Sequence, residues 1–171
     1  FRGALGAWST GGSLNTARAT YTGSGIQTAA LTFGGYTGTA NAANTESYNG
    51  STWTEVNDTN TARNSGTGGG TQTSSLFVGG EAPPTVGLTE SWNGTSWTEV
   101  ADLNTARQLL GETGVDNTSA LVMGGYTVPP ITAATESWNG TSWTEVNDLN
   151  GAKIAMAAGG TVTSSIIGGG Q

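Results

Sequence analysis

A stretch of about 45 residues recurs four times along this 171-residue chain, and no other feature limits the possible folds so sharply. Its clearest copy opens with ESWNGTSWTEV at Glu90, passes through ADLNTAR and a glycine-bearing run, and closes on SALVMGG at Gly125. A second copy starts at Glu46 and closes on Gly79 and Gly80, and a third starts at Glu136 and closes on Gly168 and Gly169. Laying Trp8 over Trp97 exposes a fourth, degenerate copy at the start, with FRGALGAW over ESWNGTSW and Gly34 and Gly35 in step. Trp8, Trp53, Trp97 and Trp143 lie 45, 44 and 46 residues apart. The whole chain thus reads as one domain of four units, 1–45, 46–89, 90–135 and 136–171.

Within a unit the local signals are those of strands. Asn93-Gly94 between two short β-prone runs is the dipeptide of a two-residue type I′ hairpin, which would set Trp92 opposite Thr95 and Glu90 opposite Trp97. The two tryptophans would then be diagonal neighbours on one face, and the pairs Tyr48 with Trp53 and Trp138 with Trp143 follow the same rule. Position 3 is Gly, so the opening unit lacks its first aromatic. A turn segment, Asp-x-Asn-Thr-Ala-Arg, leads into a Gly- and Ala-rich third strand, and the most apolar fourth strand stops at the glycine pair. No window carries helical periodicity. Four short strands form a sheet that cannot bury both faces alone, and stacking such sheets around an axis gives a β-propeller.

Leu, Ile, Val and Phe number only 27, a level that would suit a disordered chain, but disorder also calls for high charge and few aromatics. Only 10% of residues are charged here, and six Trp and four Tyr fall largely on the repeat grid. A net charge of −7 with no basic patch argues against nucleic acid as a partner. No apolar run is long enough for membrane insertion. Phe1 in place of an initiating Met marks either a processed chain or a segment of a longer one.

The chain resembles kelch repeats. The resemblance is carried by the glycine pairs Gly34-Gly35, Gly79-Gly80, Gly124-Gly125 and Gly168-Gly169, by the aromatics Tyr48, Trp92 and Trp138, and by Trp53, Trp97 and Trp143 a few residues on. Arg18, Arg63 and Arg107, with Lys153 in the last unit, complete it. The five-residue step from aromatic to Trp is shorter than the family usually shows, and four units are fewer. The close similarity of the copies also resembles kelch-like arrays of phages and environmental microbes. The resemblance implies an all-β propeller of four-stranded antiparallel blades, with the Gly and Ala strands at the axis and Trp8, Trp53, Trp97 and Trp143 near the rim. The expectation is four blades, closed where the N-terminal outer hairpin, residues 1–10, pairs with the C-terminal inner strands. A larger ring, made from further repeats or from two or more chains, is the alternative.

Catalytic chemistry finds little to use. The chain has no histidine and no cysteine, so the commonest general base and the soft metal ligands are missing, its plentiful serines and threonines lack a base to activate them, and no cofactor or metal is expected. The acids recur in every full unit, as Glu46, Glu90 and Glu136 or Asp58, Asp102 and Asp148, which suits ion pairs and turn caps better than a glycosidase dyad. Asn49, Asn93 and Asn139 sit in formal glycosylation sequons, but the turn itself demands Asn-Gly. The units differ most after each glycine pair, where the loops read YTGTANAANT, EAPPTVGLT and YTVPPITAAT. Tyr36, Glu81, Pro83, Pro84, Tyr126, Pro129 and Pro130 are therefore the candidate contact residues. The expected role is a non-enzymatic structural or adhesion module of a virion or cell surface, binding protein subunits or a surface glycan, with homo-oligomers allowed. The alternative is a lectin that stacks sugars on its tryptophan pairs.

Overall fold

The computed structural model describes residues 11–171, which form fourteen strands and no helix. The first sheet contains β1 (Thr22–Ile26), β2 (Ala29–Phe33), β3 (Thr45–Tyr48) and β4 (Trp53–Val56). The second contains β5 (Thr67–Thr71), β6 (Ser74–Val78), β7 (Thr89–Trp92) and β8 (Trp97–Val100). The third contains β9 (Gly111–Asp116), β10 (Ser119–Met123), β11 (Thr135–Trp138) and β12 (Trp143–Val146). Each is antiparallel with its strands in chain order, and a two-stranded sheet of β13 (Met156–Thr161) and β14 (Ser164–Gly169) ends the series.

The sheets stack through their first strands: β1 packs on β5, β5 on β9 and β9 on β13. The Trp-bearing strands β4, β8 and β12 lie at the opposite edge of each sheet. Glycine in the inner strands is what permits such close stacking. A Cβ on Gly68 would lie 2.6 Å from the ring of Phe33, which reaches across from the first sheet.

Two apolar layers fill the gaps. Leu31 and Phe33 of β2 meet Phe77, Trp92 and Trp97 of the second sheet, and Leu76 and Val78 of β6 meet Ala120, Val122, Trp138 and Trp143 of the third. Alternate residues of one strand therefore serve different neighbours: Phe77 faces back to the first sheet while Leu76 and Val78 face forward.

Backbone bonds tie the stack along its axis. A residue one or two positions before each inner strand holds a left-handed conformation, at Thr20, Ser65, Leu109 and Ala155. Ser65 donates its N–H to the Thr20 carbonyl (3.1 Å), Leu109 to Ser65 (2.8 Å) and Ala155 to Leu109 (3.0 Å). A second ladder runs beside it, from the N–H of Gly35 to the Arg63 carbonyl (2.9 Å), from Gly80 to Arg107 (3.0 Å) and from Gly125 to Lys153 (2.8 Å). Non-glycine residues in the left-handed region cost energy, and the bonds between sheets offset that cost here.

Three expectations change in detail. The Asn-Gly hairpins exist, but Trp92 pairs directly with Trp97 and Glu90 with Glu99, so the connection is the four residues Asn93 to Ser96. Gly94 has positive φ and Asn93 does not; instead the Asn93 side chain accepts the N–H groups of Thr95 and Ser96, both at 2.9 Å. Asparagine was thus selected for its side-chain acceptor rather than for its own left-handed tendency. In the last sheet the left-handed glycine pair is Gly169-Gly170, one residue later than the motif spacing suggests, while Gly168 is a paired strand residue.

The third change concerns closure. No packing comparable to that between successive inner strands links β13 back to β1, and Thr20 does not bond Ala155. The described residues form an open array of three full sheets and one half sheet. The anticipated hairpin at residues 1–10, with Trp8, lies outside the described residues.

Candidate functional site

The repeated acids come first, because catalysis would have to use them. In the second sheet the Glu90 carboxylate receives the backbone N–H of Asn60 (2.6 Å), the Asn60 side chain (2.9 Å) and the Thr61 N–H (3.3 Å), and pairs with Arg63. Arg63 also donates to the Gly79 carbonyl (3.0 Å) and the Phe77 carbonyl (3.0 Å), and its guanidinium lies 3.8 Å from the centre of the Phe77 ring. Asn15 and Arg18 hold Glu46 in the same way, and Asn104 and Arg107 hold Glu136, with ion pairs of 2.7 and 2.6 Å.

These side chains are fully buried. Burial pulls Arg63 and Arg107 below the usual arginine value, while Glu90 and Glu136 oppose the shift. For Glu46 burial acts upward, but the bonds from Asn15, Arg18 and Thr16 outweigh it and leave its pKa low. The NTAR motif thus staples each connecting segment to the sheet that follows it. Asp58 and Asp102 accept the N–H of Thr45 (3.2 Å) and Thr89 (3.1 Å), closing the turn from β4 or β8. Every oxygen a substrate would need from Glu46, Glu90 or Glu136 is committed to the fold.

The tryptophans are committed as well. Trp92 and Trp97 lie with ring centres 5.3 Å apart, as do Trp138 and Trp143, and all four are buried between sheets. The indole N–H of Trp97 donates to Thr45 Oγ1 of the preceding sheet (3.0 Å), and that of Trp143 to Thr89 Oγ1 (3.0 Å). Tyr48 and Trp53, whose sheet has no described sheet in front of it, remain half-exposed.

The variable loops are what the repeat does not consume. Tyr36, Glu81 and Tyr126 each bridge two backbone segments, so the loop after every glycine pair is a small ladder of its own. Tyr36, Pro83, Pro84, Pro129 and Pro130 are exposed, and Glu81 and Tyr126 are half-buried. Tyr36, Glu81 and Pro83 meet at one groove of about 410 Å³, lined also by Ala19, Asn41 and Asn64. Asn64 donates to Asn41 (2.7 Å) and Asn41 to the Glu81 carbonyl (2.8 Å), which fixes the first loop against the second. Tyr126, Pro129 and Pro130 belong to the third sheet and do not line that groove.

One acid escaped the sequence reading. Glu112 stands on β9 where the other units have Gly23, Gly68 and Ala158, so it departs from the repeat. Its carboxyl lies over Gly69 of β5, whose Cβ, if present, would be 2.8 Å from Oε1. Part of the residue is accessible, yet both carboxyl oxygens are shut off and have no hydrogen-bond partner among the described residues. Burial pushes its pKa up to about 8, so it carries a proton at neutral pH. Comparing aligned units for a lone charge at a glycine position would have found it. No group of three or more metal-binding acids occurs among the described residues.

Compared with protein-family models and with curated proteins, the chain matches none. What geometry supports on its own is a class of architecture, an all-β array of repeated four-stranded antiparallel sheets stacked through their inner strands.

Proposed function

We propose that this chain is a kelch-like propeller segment with a non-enzymatic structural or adhesive role, presenting its variable loops to a protein subunit or surface glycan on a virion or cell surface. One observation carries the reading: the residues that repeat are spent on holding sheets together, whereas those that vary are exposed or half-buried, and three of them, Tyr36, Glu81 and Pro83, meet at a groove between loops. Repeat residues at a binding site would be free to meet a ligand; here Glu90, Arg63, Trp92 and Trp97 are enclosed. That enclosure also weighs against a lectin that stacks sugars on the tryptophan pairs, since an aromatic platform has to show its face. The setting on a virion or surface appendage rests on the resemblance to kelch-like arrays described above.

The test is a screen of immobilised microbial glycans and surface proteins with the native chain and with Tyr36→Ala/Glu81→Ala. A ligand that binds the native chain and is lost from the double variant, at unchanged thermal midpoint, supports the reading. Undiminished binding by the double variant, or hydrolysis of a bound glycan, sinks it.

A further inference from the structure

The groove between the first two variable loops has a chemistry that selects what can fill it. Tyr36, Glu81 and Tyr126 each follow a glycine pair and bridge two backbone segments in the same way, so they hold the same place on three successive sheets. The bonds from Gly35 to Arg63 and from Gly80 to Arg107 fix those places one step apart along the stack. Tyr36, with 40% of its surface exposed, and the half-buried Glu81 thereby line one groove of about 410 Å³.

The two amides beside them are turned onto the protein. Asn64 donates to Asn41 Oδ1 (2.7 Å), Asn41 donates to the Glu81 carbonyl (2.8 Å), and Asn64 Oδ1 accepts the Ser65 hydroxyl. The Glu81 carboxylate, by contrast, has neither an ion pair nor a hydrogen bond among the described residues, and its oxygens are not shut off from solvent. Among those residues no cation neutralises it. Arg18, Arg63 and Arg107 are buried against Glu46, Glu90 and Glu136, and neither they nor Lys153 line the groove.

What the groove chiefly offers is an acceptor and a ring face. Sugar hydroxyls both donate and accept, so holding several of them takes donors as well as acceptors. A guanidinium only donates; its fork fits a carboxylate with two parallel bonds while its plane lies on an aromatic ring. The chain already makes this arrangement internally, where Arg63 pairs with Glu90 and lies 3.8 Å from the centre of the Phe77 ring. A net charge of −7 also draws cations toward the surface. On the reading of these loops as a contact surface, we infer that the groove receives an arginine side chain of a protein partner, its guanidinium paired with Glu81 and stacked on Tyr36. Pro83 walls the groove beside the aliphatic stem of that side chain.

The probe is N-acetyl-Gly-Arg-Gly-amide, titrated into the isotope-labelled native chain and followed by amide chemical shifts. The same peptide with citrulline, which keeps the shape of arginine and loses its charge, runs beside it. The amides of Tyr36, Asn41 and Glu81 should shift and saturate at about millimolar arginine peptide, and the citrulline peptide should leave them unmoved. Glu81→Gln should weaken binding about tenfold or more. Tyr36→Ala should weaken it about two- to fivefold, both variants keeping the native thermal midpoint. Glu99→Gln, at an exposed acid on β8, should change nothing. An equal loss in Glu99→Gln would trace the attraction to net charge and overturn the inference, as would a citrulline response or no shift at this groove. A neutral glycan that shifts these amides when arginine does not would uphold the loops as the contact surface and overturn the arginine pocket.

Discussion

The second sheet and the last two-stranded sheet are built from nearly the same words, TSSLFVGG and TSSIIGGG, and end in opposite environments. Leu76 on β6 is 0% exposed and its counterpart Ile166 on β14 is 76% exposed. Arg63 is locked to Glu90, whereas Lys153 has no carboxylate within ion-pair distance among the described residues. What separates the two sheets is company. Among the described residues, the second has a sheet on each face and its own outer pair of strands, and the last has a neighbour on one side only. Burial in this molecule is conferred by the next unit, as expected of a chain whose units contact only their neighbours.

That contrast can be broken by substitution. Arg63→Ala leaves Glu90 charged in a dry site and should cost about 3–5 kcal/mol, measured by denaturant unfolding, against almost nothing for Lys153→Ala. Leu76→Ala should cost about 2–5 kcal/mol through the cavity between the second and third sheets. Ile166→Ala should stay within about 0.5 kcal/mol, because the side chain is exposed. A comparable loss at both positions would mean that Ile166 is covered in solution.

Glu112 sharpens the comparison along the axis, because only the third sheet places an acid against the glycines of its neighbour. Its folded-state pKa lies near 8, above the ordinary 4.5. Between those values the folded chain holds a proton that the unfolded chain releases, so stability should fall as pH rises from 4.5 to 8 and then level off. Glu112→Gln should flatten that slope in thermal melts at stepped pH; an unchanged slope would show the carboxyl is hydrated. The smallest effect belongs to the turns. Asn93→Ala removes an acceptor for two N–H groups and should cost about 1 kcal/mol, and Asn139→Ala should match it, since the same bonds recur there.

Much of this was legible in the sequence because repetition fixes position. The strand after NTAR, the apolar strand before the glycine pair and the two Trp-bearing strands all appear where the repeat puts them. The pairing of Glu with Arg was also legible as a type of contact. Hairpin register was not, since Asn-Gly fits both a two-residue turn and a four-residue connection, and only the cross-strand fit of Trp92 on Trp97 selects the latter. Glu112 stayed hidden for another reason. Its identity is local, but its isolation comes from Gly69, more than forty positions away.

By itself, then, the sequence determined the unit: four strands, a capped turn, an internal Arg and Glu clamp, and inner strands thin enough to stack. The tertiary structure alone decided which copies of that unit are enclosed. Propensity and pattern act within a dozen residues, whereas enclosure depends on surfaces that meet only after the sheets have formed.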